Sequence, residues 1–174
     1  MKLTSATLAD AAAIDHLVNS AYRGEYSKQG WTTEADLLGG QRTDAEKICE
    51  MITDPSASIQ LLWVEQRLMG CVYLRREGEA VYLGMLTVEP TAQAKGYGSV
   101  MLEHAEQWAK RQGATRIKMT VIQGRDSLMA YYQRRGYELT GKTEPFPSDD
   151  PRFGIPKVPL LFLEMAKPIA NCPT

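Results

Sequence analysis

Between positions 88 and 99 the chain reads Val88-Glu89-Pro90-Thr91-Ala92-Gln93-Ala94-Lys95-Gly96-Tyr97-Gly98-Ser99. Apolar alternation before Pro90 predicts a strand, and the amphipathic run from Gly98 predicts a helix, so the glycines occupy a strand-to-helix turn. At a helix start the first N–H groups lack intrahelical partners and the helix dipole is positive, which suits a phosphate or pyrophosphate. Gly96 and Gly98 permit an approach to the backbone that a Cβ would block, while Lys95 and Ser99 offer a charge and a hydroxyl. The spacing is neither the G-x-G-x-x-G dinucleotide fingerprint nor a Walker loop. By spacing alone, an anion site and a plain connecting turn both remain open.

The elements that must position this turn are set by hydrophobic periodicity. Residues 2–7 read as a strand, and residues 9–22 as a helix with Ile14, Leu17, Val18 and Ala21 on one face, stopping at Gly24. An irregular, aromatic-bearing stretch covers residues 25–40, and a polar helix capped by Asp44 comes next. Strands at 59–65, 68–75 and 80–88 form an antiparallel meander that Pro90 ends. The helix at 98–112 places Met101, Leu102, Ala105, Trp108 and Ala109 on one face and stops at Gly113. Next come a strand at 116–121, a helix at 126–135 closed by Gly136 and a strand at 137–140, an order that implies a parallel pair with a crossover helix. Residues 141–159, with four prolines, read as a loop, residues 160–165 as the last strand, and residues 166–174 as a frayed tail.

Composition narrows the possible partners. The 174 residues, 44% hydrophobic and 24% charged, suffice for one domain with a sizeable core and exclude wholesale disorder. Twenty Lys and Arg against twenty-one Asp and Glu leave a net charge of −1, so no sequence-wide basic field exists to hold nucleic acid or an anionic membrane. Any partner must be recognised locally. Cys49, Cys71 and Cys172 are odd in number and far apart, which points to a reducing cytoplasm instead of a disulfide scaffold. His16 and His104 have no second ligand at metal-binding spacing, so no metal is expected, and His16 reads as a structural histidine. Neither a secretory leader nor an apolar run of about 18 residues is present, which disfavours export and membrane insertion.

Gln93-x-x-Gly96-x-Gly98, after a strand ending Val88-x-Pro90 and before an amphipathic helix, resembles the acyl-CoA pyrophosphate motif of the GNAT superfamily of N-acetyltransferases. The block Ala130-Tyr131-Tyr132-Gln133-Arg134-Arg135-Gly136-Tyr137 is similar to that superfamily's downstream signature of tyrosine, three residues, glycine and an aromatic. The two blocks stand in the right order and cover residues 83–137. The resemblance implies a single α/β domain over residues 1–174: a mixed, mostly antiparallel twisted sheet of six or seven strands with helices on both faces. It also implies acetyl-CoA as co-substrate and direct acetyl transfer to an amine.

Carried over by position, the resemblance has Leu86, Thr87 and Val88 on a strand splayed from its parallel neighbour, its backbone free for the pantetheine arm. The amides of Gln93, Ala94, Lys95, Gly96, Tyr97, Gly98 and Ser99 would hold the pyrophosphate, and a backbone N–H near Val88 the oxyanion. Tyr132 matches the tyrosine that protonates the departing thiolate, a reasonable transfer because phenol and thiol acidities are similar. Where many members carry asparagine, this chain has Arg125, which could reach a phosphate or point to solvent. The family often places a glutamate on the strand that ends at Val88; residues 80–88 hold no acid, Glu79 precedes them and Glu89 lies at their cofactor end, so Glu25, Glu34 and Asp36 are alternative bases or amine-binding anions. Trp31 beside Glu34 suits a cationic amine, and Tyr22, Tyr73 and Tyr82 could line the same acceptor cleft. The expected acceptor is a small-molecule amine. A protein N-terminus or lysine is the alternative, and a non-catalytic acyl-CoA sensor is the reading from another class. A monomer and a homodimer are both compatible with the sequence.

Overall fold

The computed structural model describes residues 1–22, 42–93, 95–145, 157 and 160–169 in full, and 38–39 and 155–156 in backbone only. The chain runs β1 (Lys2–Ser5), α1 (Ala11–Tyr22), β2 (Leu38–Gly39), α2 (Ala45–Thr53), β3 (Ala57–Val64), β4 (Arg67–Glu77), β5 (Ala80–Val88), α3 (Tyr97–Arg111), β6 (Arg116–Ile122), α4 (Asp126–Gln133), β7 (Glu138–Pro145), β8 (Ile155–Pro156) and β9 (Leu161–Pro168). Seven strands form one twisted sheet in the order β1-β3-β4-β5-β6-β9-β7, and β2 pairs with β8 apart from it. Within the large sheet β5 and β6 run parallel and the other pairs run antiparallel. The parallel pair is joined by α3, as a parallel connection requires a crossover.

Strand alternation divides the core between the two faces of the sheet. Ile59, Leu61, Cys71, Tyr73 and Met85 meet Ile14, Leu17, Val18 and Ile48 of α1 and α2 on one side. Leu62, Val72, Leu74, Val81, Leu83 and Ile117 meet Met101, Leu102, Ala105 and Ala109 of α3, with Tyr132 and Tyr137, on the other. Helices therefore cover both faces. Two of the helices start for a local reason: the Asp44 carboxylate accepts the Lys47 N–H at 2.7 Å to cap α2, and Gly96, at φ +84°, turns the chain into α3.

One break in the alternation shapes everything around the site. Val81 and Leu83 face α3, so a period of two would send Met85 the same way. Met85 instead packs with α1, at φ +55°, and Leu86 returns to the α3 side. The β4–β5 register skips at the same place, between Cys71 and Tyr73, which identifies a β-bulge. On its other edge β5 pairs with β6 only through Ala80, Tyr82 and the residue between them, opposite Arg116, Ile117 and Lys118. Beyond Tyr82 the two parallel strands part, and β6 continues to Ile122 paired with β9 alone.

Two expectations about the C-terminal third need correction. The stretch read as a loop from residue 141 begins as sheet: β7 runs to Pro145, because Gly141, at φ +90°, absorbs a register skip between Leu139 and Thr143 and lets pairing with β9 resume. Pro145 is tolerated at the end of this edge strand. The tail read as frayed from residue 166 is also sheet as far as Pro168, with Ala166, Lys167 and Pro168 opposite Lys118, Ile117 and Arg116. Ile169 holds it down, since its side chain is buried and its N–H donates to Thr115 O at 2.9 Å.

Asn19 of α1 anchors the backbone just before α2. Its Oδ1 accepts the Arg42 and Thr43 N–H groups at 2.6 and 3.2 Å, and its Nδ2 donates to Thr43 O at 2.9 Å. Asn19→Ala strands these backbone groups and is expected to lower the unfolding free energy by about 1–3 kcal/mol in urea titrations.

Candidate active site

The parted strands leave a cleft, and the bulge decides which backbone atoms face it. Glu89 N–H donates to Met69 O on the β4 side, so by alternation Leu86 and Val88 direct their N–H and C=O groups into the cleft. Leu86 O accepts the Tyr22 hydroxyl, which ties the end of α1 across the opening. Val88 O accepts Gln93 Nε2 at 3.0 Å. The strand is thus less free than expected: its two cleft-facing carbonyls have partners, and the N–H groups of Leu86 and Val88 are the donors that point inward.

A cavity of about 300 Å³ lies between the parted strands and the start of α3. Its lining brings together Leu86, Thr87, Val88, Gln93, Gly96, Tyr97, Gly98, Ser99 and Arg125 with Tyr132. Lys95 is exposed and outside that lining, and Ala94 lies outside the described residues. A Cβ built on Gly96 would meet nothing within 4 Å, so this glycine is needed for its backbone conformation. At Gly98 a Cβ would stand 2.7 Å from the Tyr131 hydroxyl, so there the absence of a side chain lets α4 pack against the start of α3.

Tyr131 and Arg135, also in the lining, are site residues that sequence reasoning missed, although their i, i+4 spacing on one helix is the available signal. The Arg135 guanidinium stacks on the Tyr131 ring at 3.6 Å and donates to Ser99 Oγ at 2.7 Å. Ser99 accepts through its oxygen and keeps its own proton to donate. A cation, a hydroxyl and the free amides of a fifteen-residue helix therefore converge at one rim of the cavity.

A second, smaller cavity of about 90 Å³ opens on the other side of the cleft, lined by Arg42, Tyr82, Gly84, Thr120 and Phe162 among others. Tyr82, which the sequence offers for the acceptor cleft, is in this lining, its ring lying over Gly84, whose Cβ would come within 2.8 Å of it. Tyr22, Leu86, Arg125, Leu128 and Tyr132 line both cavities. Tyr132 is thus at their junction, its ring clasped edge-to-face by Tyr131 and Tyr137 at 5.6 and 6.0 Å.

Of the remaining sequence candidates, Trp31, Glu34, Glu25 and Asp36 lie outside the described residues. The Glu89 carboxylate accepts the Thr91 N–H at 2.8 Å and caps the turn after β5, so it is committed to structure. No carboxylate among the described residues lines either cavity. His16 is exposed on α1, contrary to its reading as a satisfied structural histidine. His104 bonds Gln60 Oε1 at 2.7 Å, and burial, reinforced by Arg111, depresses its pKa. No group of three or more metal-ligating side chains is found among the described residues.

With this geometry in view, residues 12–137 match the family model of the Acetyltransferase (GNAT) family. The chain belongs to the GNAT family. Among curated proteins, the uncharacterized protein YdhI of Bacillus subtilis strain 168 is 27% identical over 72 residues, 41% of this chain and 44% of that relative's length. Among solved structures, the ribosomal-protein-S18-alanine N-acetyltransferase of Escherichia coli superposes with a TM-score of 0.72 at 15% identity, over 99% of this chain and 96% of that one. A protein named as a streptothricin acetyltransferase from Bacillus anthracis strain Ames, solved in complex with acetyl coenzyme A, gives 0.58 at 16% identity over 69% and 66% of the two chains. At these identities the structural likeness is one of fold, and this GNAT chain's own residues must carry any functional reading.

Burial, with Tyr22 nearby, pushes the Tyr132 hydroxyl well above its ordinary pKa of 10.0. Tyr132 is therefore protonated throughout the neutral and mildly alkaline range, and burial makes it a weaker acid than the phenol–thiol match expected from the sequence. A tyrosine whose pKa is higher folded than unfolded stabilises fully below its unfolded value and loses that contribution as pH rises above about 10. Tyr132→Phe should accordingly flatten the fall in unfolding free energy between about pH 10 and pH 11, read by chemical denaturation at each pH. A slope identical to that of the parent would show that Tyr132 titrates normally.

Proposed function

We propose that this protein transfers an acetyl group from acetyl-CoA directly to the amine of a small molecule, with Tyr132 as the general acid. The observation that carries the reading is the position of Tyr132, whose buried, protonated side chain stands where the two cavities join. The larger cavity offers what acetyl-CoA needs. The amides of Gly96, Tyr97, Gly98 and Ser99, with Arg135 and the Ser99 hydroxyl, suit the pyrophosphate, and the inward edge of β5 suits the pantetheine amides. The co-substrate supplies an activated acetyl group as a thioester.

The protein's part is orientation and charge control. The Val88 N–H, directed into the cleft by the bulge, suits the negative charge that develops on the thioester oxygen as the amine adds. Formation of the N–C bond breaks the C–S bond; the Tyr132 hydroxyl gives its proton to the departing sulfur, and the proton that the amine loses to solvent is matched by one that solvent returns to the Tyr132 phenolate. The smaller cavity's volume of about 90 Å³ supports a small acceptor over an extended peptide. The free thiols of Cys49 and Cys71 agree with a reducing, cytoplasmic setting.

Thiol release measured against a panel of amines tests the assignment. Tyr132→Phe should lower kcat by about 10²-fold or more and leave the dissociation constant of acetyl-CoA within about threefold of the parent. Tight acetyl-CoA binding with no amine-dependent thiol release from the parent would instead support the non-catalytic, sensor reading.

A further inference from the structure

We infer that the acceptor carries an anionic group, such as a carboxylate or phosphonate, beside its amine, and that Arg42 is the residue that reads it. The inference rests on the acetyl-transfer reading and names the substrate class for that site. Arg42 is half-buried in the wall of the smaller cavity, with its guanidinium carbon 5.5 Å from the centroid of the Tyr22 ring. Its own N–H is held by Asn19 Oδ1 at 2.6 Å, so the backbone that presents it is fixed. The Tyr22 hydroxyl is in turn bonded to Leu86 O at the bulge. Arg42 is therefore stacked on the side chain that reaches the reacting end of β5.

Among the described residues that line this cavity, the charged groups are cations. No carboxylate among the described residues forms an ion pair with it, and the other charged group in the same lining is Arg125. A half-buried guanidinium with no counter-charge among the described residues keeps part of its desolvation cost, which an anionic ligand group offsets through paired, parallel N–H donors. A purely cationic acceptor meets repulsion from the same wall. Such a positive wall has a second consequence for chemistry. Like charges disfavour the ammonium form, so an acceptor anchored by its anion presents its amine more readily as the neutral nucleophile. This acts in the direction of the general base that residues 80–88 do not supply.

Matched acceptors decide the point. The full chain is assayed for thiol release with ω-amino acids and ω-aminoalkylphosphonates, against alkylamines and diamines of the same chain length, in the parent, Arg42→Gln and Arg42→Lys. The parent should favour the anion-bearing acceptors by about tenfold or more in kcat/KM, Arg42→Gln should reduce that ratio below about threefold through KM, and Arg42→Lys should fall between. Acetyl-CoA dissociation constants, measured calorimetrically, should agree across the three proteins and show that folding is intact. A parent that prefers alkylamines or diamines, or an unchanged ratio in Arg42→Gln, overturns the inference while leaving acetyl transfer standing. If acetyl-CoA binds and no amine of any class is acetylated, the transferase reading falls, and the acceptor inference falls with it.

Discussion

The parting of two parallel strands is the constraint on which the rest of the structure depends. β5 and β6 stay paired only from Ala80 to Tyr82, and from there each turns its inner edge toward a cleft. The bulge at Met85 is the local cause visible in the backbone, because a residue inserted into β5 swings the strand and reverses the faces of the residues after it. An unpaired strand edge inside a fold leaves polar backbone groups without ladder partners, a cost that selection tolerates where a ligand supplies the missing bonds. Tyr22 and Gln93 satisfy the two carbonyls that face inward. The groups still directed at the cleft are a row of donors, and donors are what an acyl carrier's carbonyls and a developing oxyanion require.

The neighbouring elements make sense as supports of that opening. α3 begins where the parted strand ends, so its unpaired amides face the same space, and Gly96 accepts the left-handed turn that brings strand and helix together. α4 packs against the α3 start because Gly98 leaves room for Tyr131, and the Arg135–Tyr131 stack then delivers a guanidinium to Ser99. On the opposite face, α1 sends Tyr22 across the cleft and receives Arg42 on its ring. A net charge of −1 is no obstacle to an anionic ligand under these conditions, since aligned amides and two or three local cations outweigh a near-neutral surface.

How much of this is readable in the residues depends on whether the cause is local. The Gly96-x-Gly98 turn, the Asp44 cap and the amphipathic helix after Ser99 are local matters of backbone conformation and periodicity, and each stands where the sequence places it. The tyrosine–glycine–aromatic block locates Tyr132 on α4, and α4 lies beside the turn because Gly98 leaves room for Tyr131. The bulge at Met85 is not legible, since a methionine in an alternating strand carries no sign that it adopts φ +55°. Nor is β7 beyond residue 140, where glycine and proline speak for a loop and only pairing with a distant strand overrides them. Arg42 escapes notice for a related reason: its partner Tyr22 stands twenty positions away on another element, and short-range spacing cannot report such a contact.

Amide hydrogen exchange with and without acetyl-CoA addresses the parted strands most directly. Saturating co-substrate should slow exchange at Leu86 and Val88, and at Gly96, Tyr97, Gly98 and Ser99, while Ala80, Val81 and Tyr82, already paired to β6, change little. Saturable binding that leaves exchange at Leu86 and Val88 unaltered would contradict the account, because the donors exposed by the bulge would then have no part in holding the substrate.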